Sequence, residues 1–258
     1  MTPVLRVGVA PFSETTKMNK PLHSSSDSPP HLERYRFALP YCQGKTVLDV
    51  ACGDGYGVKI LSEKAKLVCG LDNDPHLLSQ TPKLPNSEFR IGDARNMPYL
   101  TGTFDVVVSF ETIEHFTEQK DFLSEITRIL KPGGTAIIST PDHDVQLALG
   151  AYNNPHDHGG HGHPGELTAL EFRTLLREAF LGNVTMYGQL FLTRPPTFKH
   201  KIANLIKRAD LFMLRRKLFK KSTLDKLNVS RELVNWDKSI RPLTRPAAQM
   251  IAVCHKAA

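Results

Sequence analysis

Thr46–Gly57, TVLDVACGDGYG, is the stretch on which the reading of the chain turns. Val47 and Leu48 form an apolar strand core and Asp49 follows. Gly53, Gly55 and Gly57 then make a loop poor in side chains before Val58, Ile60 and Leu61 resume on one helical face. A strand, a glycine loop and a helix in this order open a nucleotide-binding α/β domain, because glycine admits positive φ and lets backbone amides approach a ligand. The spelling separates this loop from two relatives. A dinucleotide fingerprint reads GxGxxG and a P-loop ends in GK[ST], whereas ACGDGYG follows an acid on the strand and contains no lysine.

Working outward, Leu67–Asp72 (LVCGLD) is a second buried strand that ends in an acid. A carboxylate at that tip suits the two hydroxyls of an unphosphorylated ribose. Asp74 and Pro75 start a helix, since proline is tolerated in a first turn. Glu88–Ile91 is a third strand, followed by Gly92, Asp93 and Ala94, and the β-branched run Phe104–Phe110 is a central strand buried on both faces. Thr117 is placed to cap a helix whose Phe122, Leu123, Ile126, Ile129 and Leu130 recur at helical spacing. Pro132, Gly133 and Gly134 turn the chain into a fifth strand through Ile137 and Ile138. Asn183–Gly188 and Met250–His255 supply a sixth and a seventh. Ahead of all these, a helix begins near His31, carries Leu32, Tyr35 and Leu39 on one face, and is expected to end at Pro40.

Composition limits the function classes. The chain has 258 residues, 40% hydrophobic and 23% charged, which suits one substantial core with a small appendage. Cys42, Cys52, Cys69 and Cys254 lack CxxC spacing and read as buried reduced thiols, not a zinc site or a disulfide frame. No run reaches the length of a membrane span and the N-terminus is too interrupted for a secretory signal, so a soluble, cytoplasmic protein is expected. The net charge of +7 is unevenly placed: Arg194–Arg245 holds fifteen Lys and Arg against four Asp and Glu, a local +11 that leaves −4 elsewhere.

The succession β-loop-α, LD, GDA, FDVVVSFETIEH, LKPGG resembles class I S-adenosylmethionine-dependent methyltransferases from Thr46 to Gly134. The resemblance implies a Rossmann-like α/β sheet of seven strands with helices on both faces, plus a helical insertion between strands six and seven. The expected organisation is a flexible segment at 1–30, a cofactor-binding core at 31–190, a basic helical insertion at 191–246 and a closing strand at 247–258. S-adenosylmethionine is the implied cofactor. Asp72 is expected on its ribose, Asp93 and Ala94 on its adenine, and Asp49, Ala51, Gly53, Gly55, Asn73 and Phe110 around the rest, with Arg34 and Tyr35 near the methionine end.

The acceptor side is written in Glu111, Thr112, Ile113, Glu114 and His115. On a helix, Glu111, Glu114 and His115 share a face, a set suited to Mg²⁺ or Mn²⁺. A fourth ligand is expected from the loop NNPHDHGGHGHPGELT, which holds His156, His158, His161 and His163 and leads into a capping box of Thr168 and Glu171. His163, Glu166, Thr168 and Phe172 resemble small-RNA 3′-terminal 2′-O-methyltransferases, and ExxEH resembles the ubiquinone pathway's O-methyltransferases. Methyltransferases of bacterial polysaccharide and glycolipid clusters look closer, with ETIEH and a YGQ matched by Tyr187, Gly188 and Gln189. The expectation is an O-methyltransferase for a hydroxyl of a sugar or sugar-containing metabolite. Glu114, His115 or His163 acts as base, or with Glu111 holds a metal that lowers the hydroxyl pKa. RNA-terminal and quinone-type O-methylation are the alternatives. Within the basic segment, Ile202, Leu205, Ile206, Ala209 and Phe212 form an apolar stripe that suits a lid, a homodimer contact, a peripheral membrane helix or, last, RNA binding.

Overall fold

The computed structural model describes residues 29–148, 164–192, 236–237, 240–244 and 246–258. The chain enters through helix α1 (Pro29–Cys42) and then alternates strand and helix: β1 (Thr46–Val50), α2 (Tyr56–Leu61), β2 (Leu67–Asp72), α3 (Pro75–Leu78), β3 (Ser87–Ile91) and β4 (Phe104–Phe110). A 3₁₀ turn (Ile113–His115), α4 (Gln119–Ile129), β5 (Leu130–Pro141), α5 (His143–Ala148), α6 (Ala169–Ala179) and β6 (Val184–Leu192) follow. Two two-residue strands, β7 (Trp236–Asp237) and β8 (Arg241–Pro242), precede β9 (Ala247–His255).

These strands form one sheet in the order β3-β2-β1-β4-β5-β9-β6-β7, with β8 pairing to β6 beside that path. β1 to β5 are mutually parallel and β9 runs antiparallel between β5 and β6. The sheet thus holds nine strands among the described residues where seven were expected. The additional pair is short, formed where the return from the basic segment touches β6.

Burial follows from the alternation of side chains across the sheet. Leu48, Val107, Ile138 and Met250 face a cluster completed by Phe122, Ile126, Ile129 and Phe172 of α4 and α6. Val47, Val108, Ile137 and Ile251 face the other, completed by Tyr35 and Ala38 of α1 and Val58 and Leu61 of α2. α1 continues past Pro40, contrary to expectation. Pro40 and Arg36, whose carbonyl loses its donor, are both exposed, while Ala38 and Cys42 stay buried below, so one missing bond in the last turn does not stop the helix. Thr117 is not a cap: α4 starts one residue later, from Glu118. The capping box at Thr168 and Glu171 is present in both directions, and all four cysteines are buried free thiols.

No described helix is long and apolar enough to cross a membrane. Residues 1–28, the histidine loop through His163 and the stripe at 202–212 lie outside the described residues.

Candidate active site

The carboxyl ends of parallel strands in an open α/β sheet converge on a ligand crevice, and here α1 reaches them through Arg34 and Tyr35. After β1, Ala51, Gly53 and Gly55 take φ of 57°, 58° and 80°. The loop is closed by Asp72 at the tip of β2: Oδ2 accepts from Gly53 N at 2.8 Å and Oδ1 from Asp74 N at 2.9 Å. Burial raises the Asp72 pKa, and these backbone bonds oppose the rise. Each carboxylate oxygen has two lone pairs, so a pair of ribose hydroxyls fits the remainder. Asn73 is exposed beside it.

At the end of β3, Asp93 is engaged by Arg95 through Nε and N to Oδ1 and Nη2 to Oδ2, the last at 2.9 Å. Burial works against its ionisation, but the Arg95 bonds and charge outweigh it and hold the carboxyl low. Asp93 is thus a fixed acceptor that already has one cationic partner. Ala94 packs half-buried against the core beside it.

Under α1, Tyr35 donates to Asp49 Oδ1 at 3.2 Å, while Asp49 Oδ2 is buried without a hydrogen-bond partner. Burial, opposed by the Tyr35 bond, pushes the Asp49 pKa up to about 8. Phe110 meets Tyr35 edge to face with ring centroids 4.9 Å apart. The next α1 residue toward the N-terminus, Arg34, is 1% exposed; its Nη1 donates to Gln189 Oε1, whereas Nε and Nη2 have no acceptor. Asp49 Oδ2 and Arg34 Nε and Nη2, buried without hydrogen-bond partners, suit a ligand that carries both donors and acceptors, as the amino-acid end of S-adenosylmethionine does. The residues present therefore fit that cofactor.

The acceptor side differs from expectation. Glu111 takes φ 55° and Ile113–His115 is a single 3₁₀ turn, so Glu111, Glu114 and His115 do not line one face of an α-helix. Glu111 Oε1 accepts from Ser139 Oγ at 2.8 Å and lies 3.8 Å from Arg34 Nη2. Glu114 is 1% exposed and accepts from Thr140 Oγ1 at 3.2 Å. Burial and then the Glu111 charge raise its pKa. His115 is half-buried. Among the described residues no three His, Cys, Asp or Glu side chains group to hold a metal; His163 lies outside them.

The turn does meet the segment after the histidine loop. Gly165 N donates to the Glu114 carbonyl at 2.9 Å, and Gln119 Nε2 bridges the carbonyls of Ile113 and Gly165. Glu166 in turn holds His143 Nδ1 at 2.8 Å. Sequence reasoning missed His143 and gave no contact to Gln189, because both depend on strand order. The cue available for His143 was its place directly after a predicted strand end, in TPDHD.

Residues 48–138 match the model of a methyltransferase domain. A "Probable S-adenosylmethionine-dependent methyltransferase" of Mycolicibacterium smegmatis is 36% identical over 141 residues, 54% of this chain and 52% of that protein. A phthiotriol/phenolphthiotriol dimycocerosates methyltransferase of Mycobacterium leprae is 33% identical over 131 residues, 48% of each. The chain thus spans about half the length of these curated relatives. A Thermotoga maritima structure described as a possible histamine N-methyltransferase superposes with TM-score 0.60 at 14% identity, over 87% of this chain and 88% of that one. The Haemonchus contortus phosphoethanolamine N-methyltransferase 2 complex with S-adenosyl-L-methionine gives 0.54 at 16%, over 89% and 52%. The chain carries the class I S-adenosylmethionine-dependent methyltransferase fold.

Proposed function

We propose that the protein is an S-adenosylmethionine-dependent O-methyltransferase acting on a hydroxyl of a lipid- or sugar-containing acceptor. One observation carries the reading: the cradle of Gly53, Asp72 and Asp49 and the acidic turn at Glu111 open on the same sheet edge beneath α1. Bound S-adenosylmethionine supplies an electrophilic methyl carbon on a sulfonium. The chain's part is then to hold donor and acceptor in line and to receive the hydroxyl proton. Glu111, fixed by Ser139, orients the acceptor, and Glu114, buried against Thr140, supports the turn. A hydroxylated acceptor is favoured by the relative named for phthiotriol, a triol, and by the ETIEH and YGQ stretches. The neighbours named for amine methylation are alike in fold alone.

The test has two parts. Calorimetry with S-adenosylhomocysteine is expected to show one site per chain. Labelled S-adenosylmethionine offered with a panel of glycosides, hydroxylated lipids, phenols and amines is expected to label hydroxyl compounds. Parallel reactions with Mg²⁺ and with EDTA read whether the histidine loop adds a metal. No binding, or label on amines alone, sinks the proposal.

A further inference from the structure

Asp49, Asp72 and Asp93 belong to the carboxyl ends of β1, β2 and β3, which lie side by side in the sheet. With the amino-acid end of the donor beside Asp49 and its ribose at Asp72, the nucleobase falls at Asp93. Gly92 N donates to the Asp72 carbonyl at 2.9 Å, which keeps the β3 end against the β2 tip. The Asp93 carboxylate is almost fully engaged. Oδ1 accepts from Arg95 N at 2.8 Å and Nε at 3.2 Å, and Oδ2 accepts from Nη2 at 2.9 Å. A carboxylate has about four lone-pair positions, so these bonds leave a single one, on Oδ2.

Arg95 is itself held on its far side. Nη1 lies 3.3 Å from Glu118 Oε2, and the guanidinium carbon lies 5.3 Å from the centre of the Phe116 ring, within cation–π range. Phe116 ends the 3₁₀ turn of the acceptor side and packs on Phe122 of α4. Past Arg95 the backbone is pinned to α4, by Met97 N to Glu125 Oε2 at 2.7 Å and by Arg128 to the Met97 and Tyr99 carbonyls. The guanidinium fork is therefore fixed, and the open lone pair of Asp93 has a set direction.

We propose that Arg95 is a positioning residue that makes Asp93 a one-bond acceptor for the 6-amino group of adenine and ties this contact to the acceptor turn through Phe116. The inference rests on the S-adenosylmethionine reading above and deepens it. One amine N–H satisfies the remaining lone pair. A 6-oxo purine would set an acceptor against it, and Asp93 cannot turn to take the purine N1–H while the Arg95 fork grips both oxygens.

Calorimetry on the full chain with S-adenosylhomocysteine and with S-inosylhomocysteine, its 6-oxo counterpart, tests the role of Arg95 without an acceptor. The wild type is expected to prefer the amine about 100-fold, because the 6-oxo ligand opposes two acceptors and leaves N1–H unpaired. Arg95→Met, which keeps the stem and removes the fork, is expected to lower that preference about tenfold, since the released carboxylate can take N1–H. Arg95→Lys, which keeps the charge without the fork, should lower it alike, and decides alone if Arg95→Met fails to fold. A merely structural role would weaken both ligands together, so a preference within about threefold of wild type overturns the proposal. A wild type that binds the two ligands equally also overturns it. Hydrogen exchange reads the tie: S-adenosylhomocysteine is expected to slow exchange of the Phe116 amide, bonded to the Ile113 carbonyl at 3.2 Å, in the wild type and not in Arg95→Met. Equal slowing in both proteins overturns the link to the acceptor turn. A wild type that binds no S-adenosylhomocysteine sinks the S-adenosylmethionine reading itself.

Discussion

Arg34 Nη1 donates to Gln189 Oε1 at 2.9 Å across 155 residues of sequence, and Gln189 Nε2 donates to the Pro30 carbonyl at 3.0 Å. One amide therefore ties α1 to β6 and aims a buried guanidinium at the crevice. Gln189→Leu removes the acceptor of Arg34 Nη1 and is expected to cost about 1–3 kcal/mol, as is Arg34→Met, which removes the donor to Gln189 Oε1. The double variant should cost much less than the sum, since neither buried group is then left alone. Urea unfolding of the four proteins checks this, and additive losses would refute the coupling.

Asp72→Asn keeps the shape of the β2 tip but gives up one oxygen that braces Gly53 or Asp74. S-adenosylhomocysteine affinity is expected to fall at least about tenfold, or ~1.4 kcal/mol. Calorimetry showing unchanged affinity would remove Asp72 from the ribose site.

Gly165 has no room for a Cβ, which would run into the Phe116 carbonyl and crowd Gln119 Nε2. Backbone cannot yield as a side chain can. Gly165→Ala is expected to cost about 2 kcal/mol and to raise hydrogen exchange at Gly165 and His143 while leaving the β1–β2 amides protected. A melting temperature equal to wild type contradicts this.

Stability of the ligand-free protein should decline from about pH 6.5 to 8. Asp49 holds its proton to about 8 in the fold against 3.8 as a model value. Over that interval the native state keeps a proton that the unfolded chain has lost, and each pH unit removes up to ~1.4 kcal/mol. Glu114, also raised, acts in the same direction. His31 acts oppositely at lower pH: burial and then Arg34 lower its pKa from 6.5 to about 4, so stability falls as pH drops through that range. Between about 4 and 6.5 the His31 slope opposes those of Asp49 and Glu114, so the decline is steeper above that range. Melting temperatures should fall less steeply with pH above 6.5 in Asp49→Asn; an unchanged profile in that variant refutes the assignment.

The donor half was legible because its determinants are local. Val47 to Gly55, Leu67 to Asp72 and Phe104 to Phe110 each announce their own element through burial and glycine placement, and parallel order follows from the alternation with helices. The acceptor half was not. Whether Glu111, Glu114 and His115 share a face depends on one left-handed residue, Glu111, and no helical periodicity reports a positive φ at glutamate. Likewise His143 and Glu166, or Arg34 and Gln189, lie far apart along the chain and meet only through the strand order. Pro40 misled for a related reason: a local rule for helix ends yielded to the burial of Ala38 and Cys42.

The insertion of β9 between β5 and β6 has a temporal side. During synthesis β1 to β5 have neighbours among residues already made, but the described partners of β6 all come later, in β7, β8 and β9. Gln189, on β6, is therefore not joined to the main sheet until residues 247–255 clear the ribosome. A nascent chain halted before that point is expected to assemble the nucleotide half first, with Arg34 still lacking its amide.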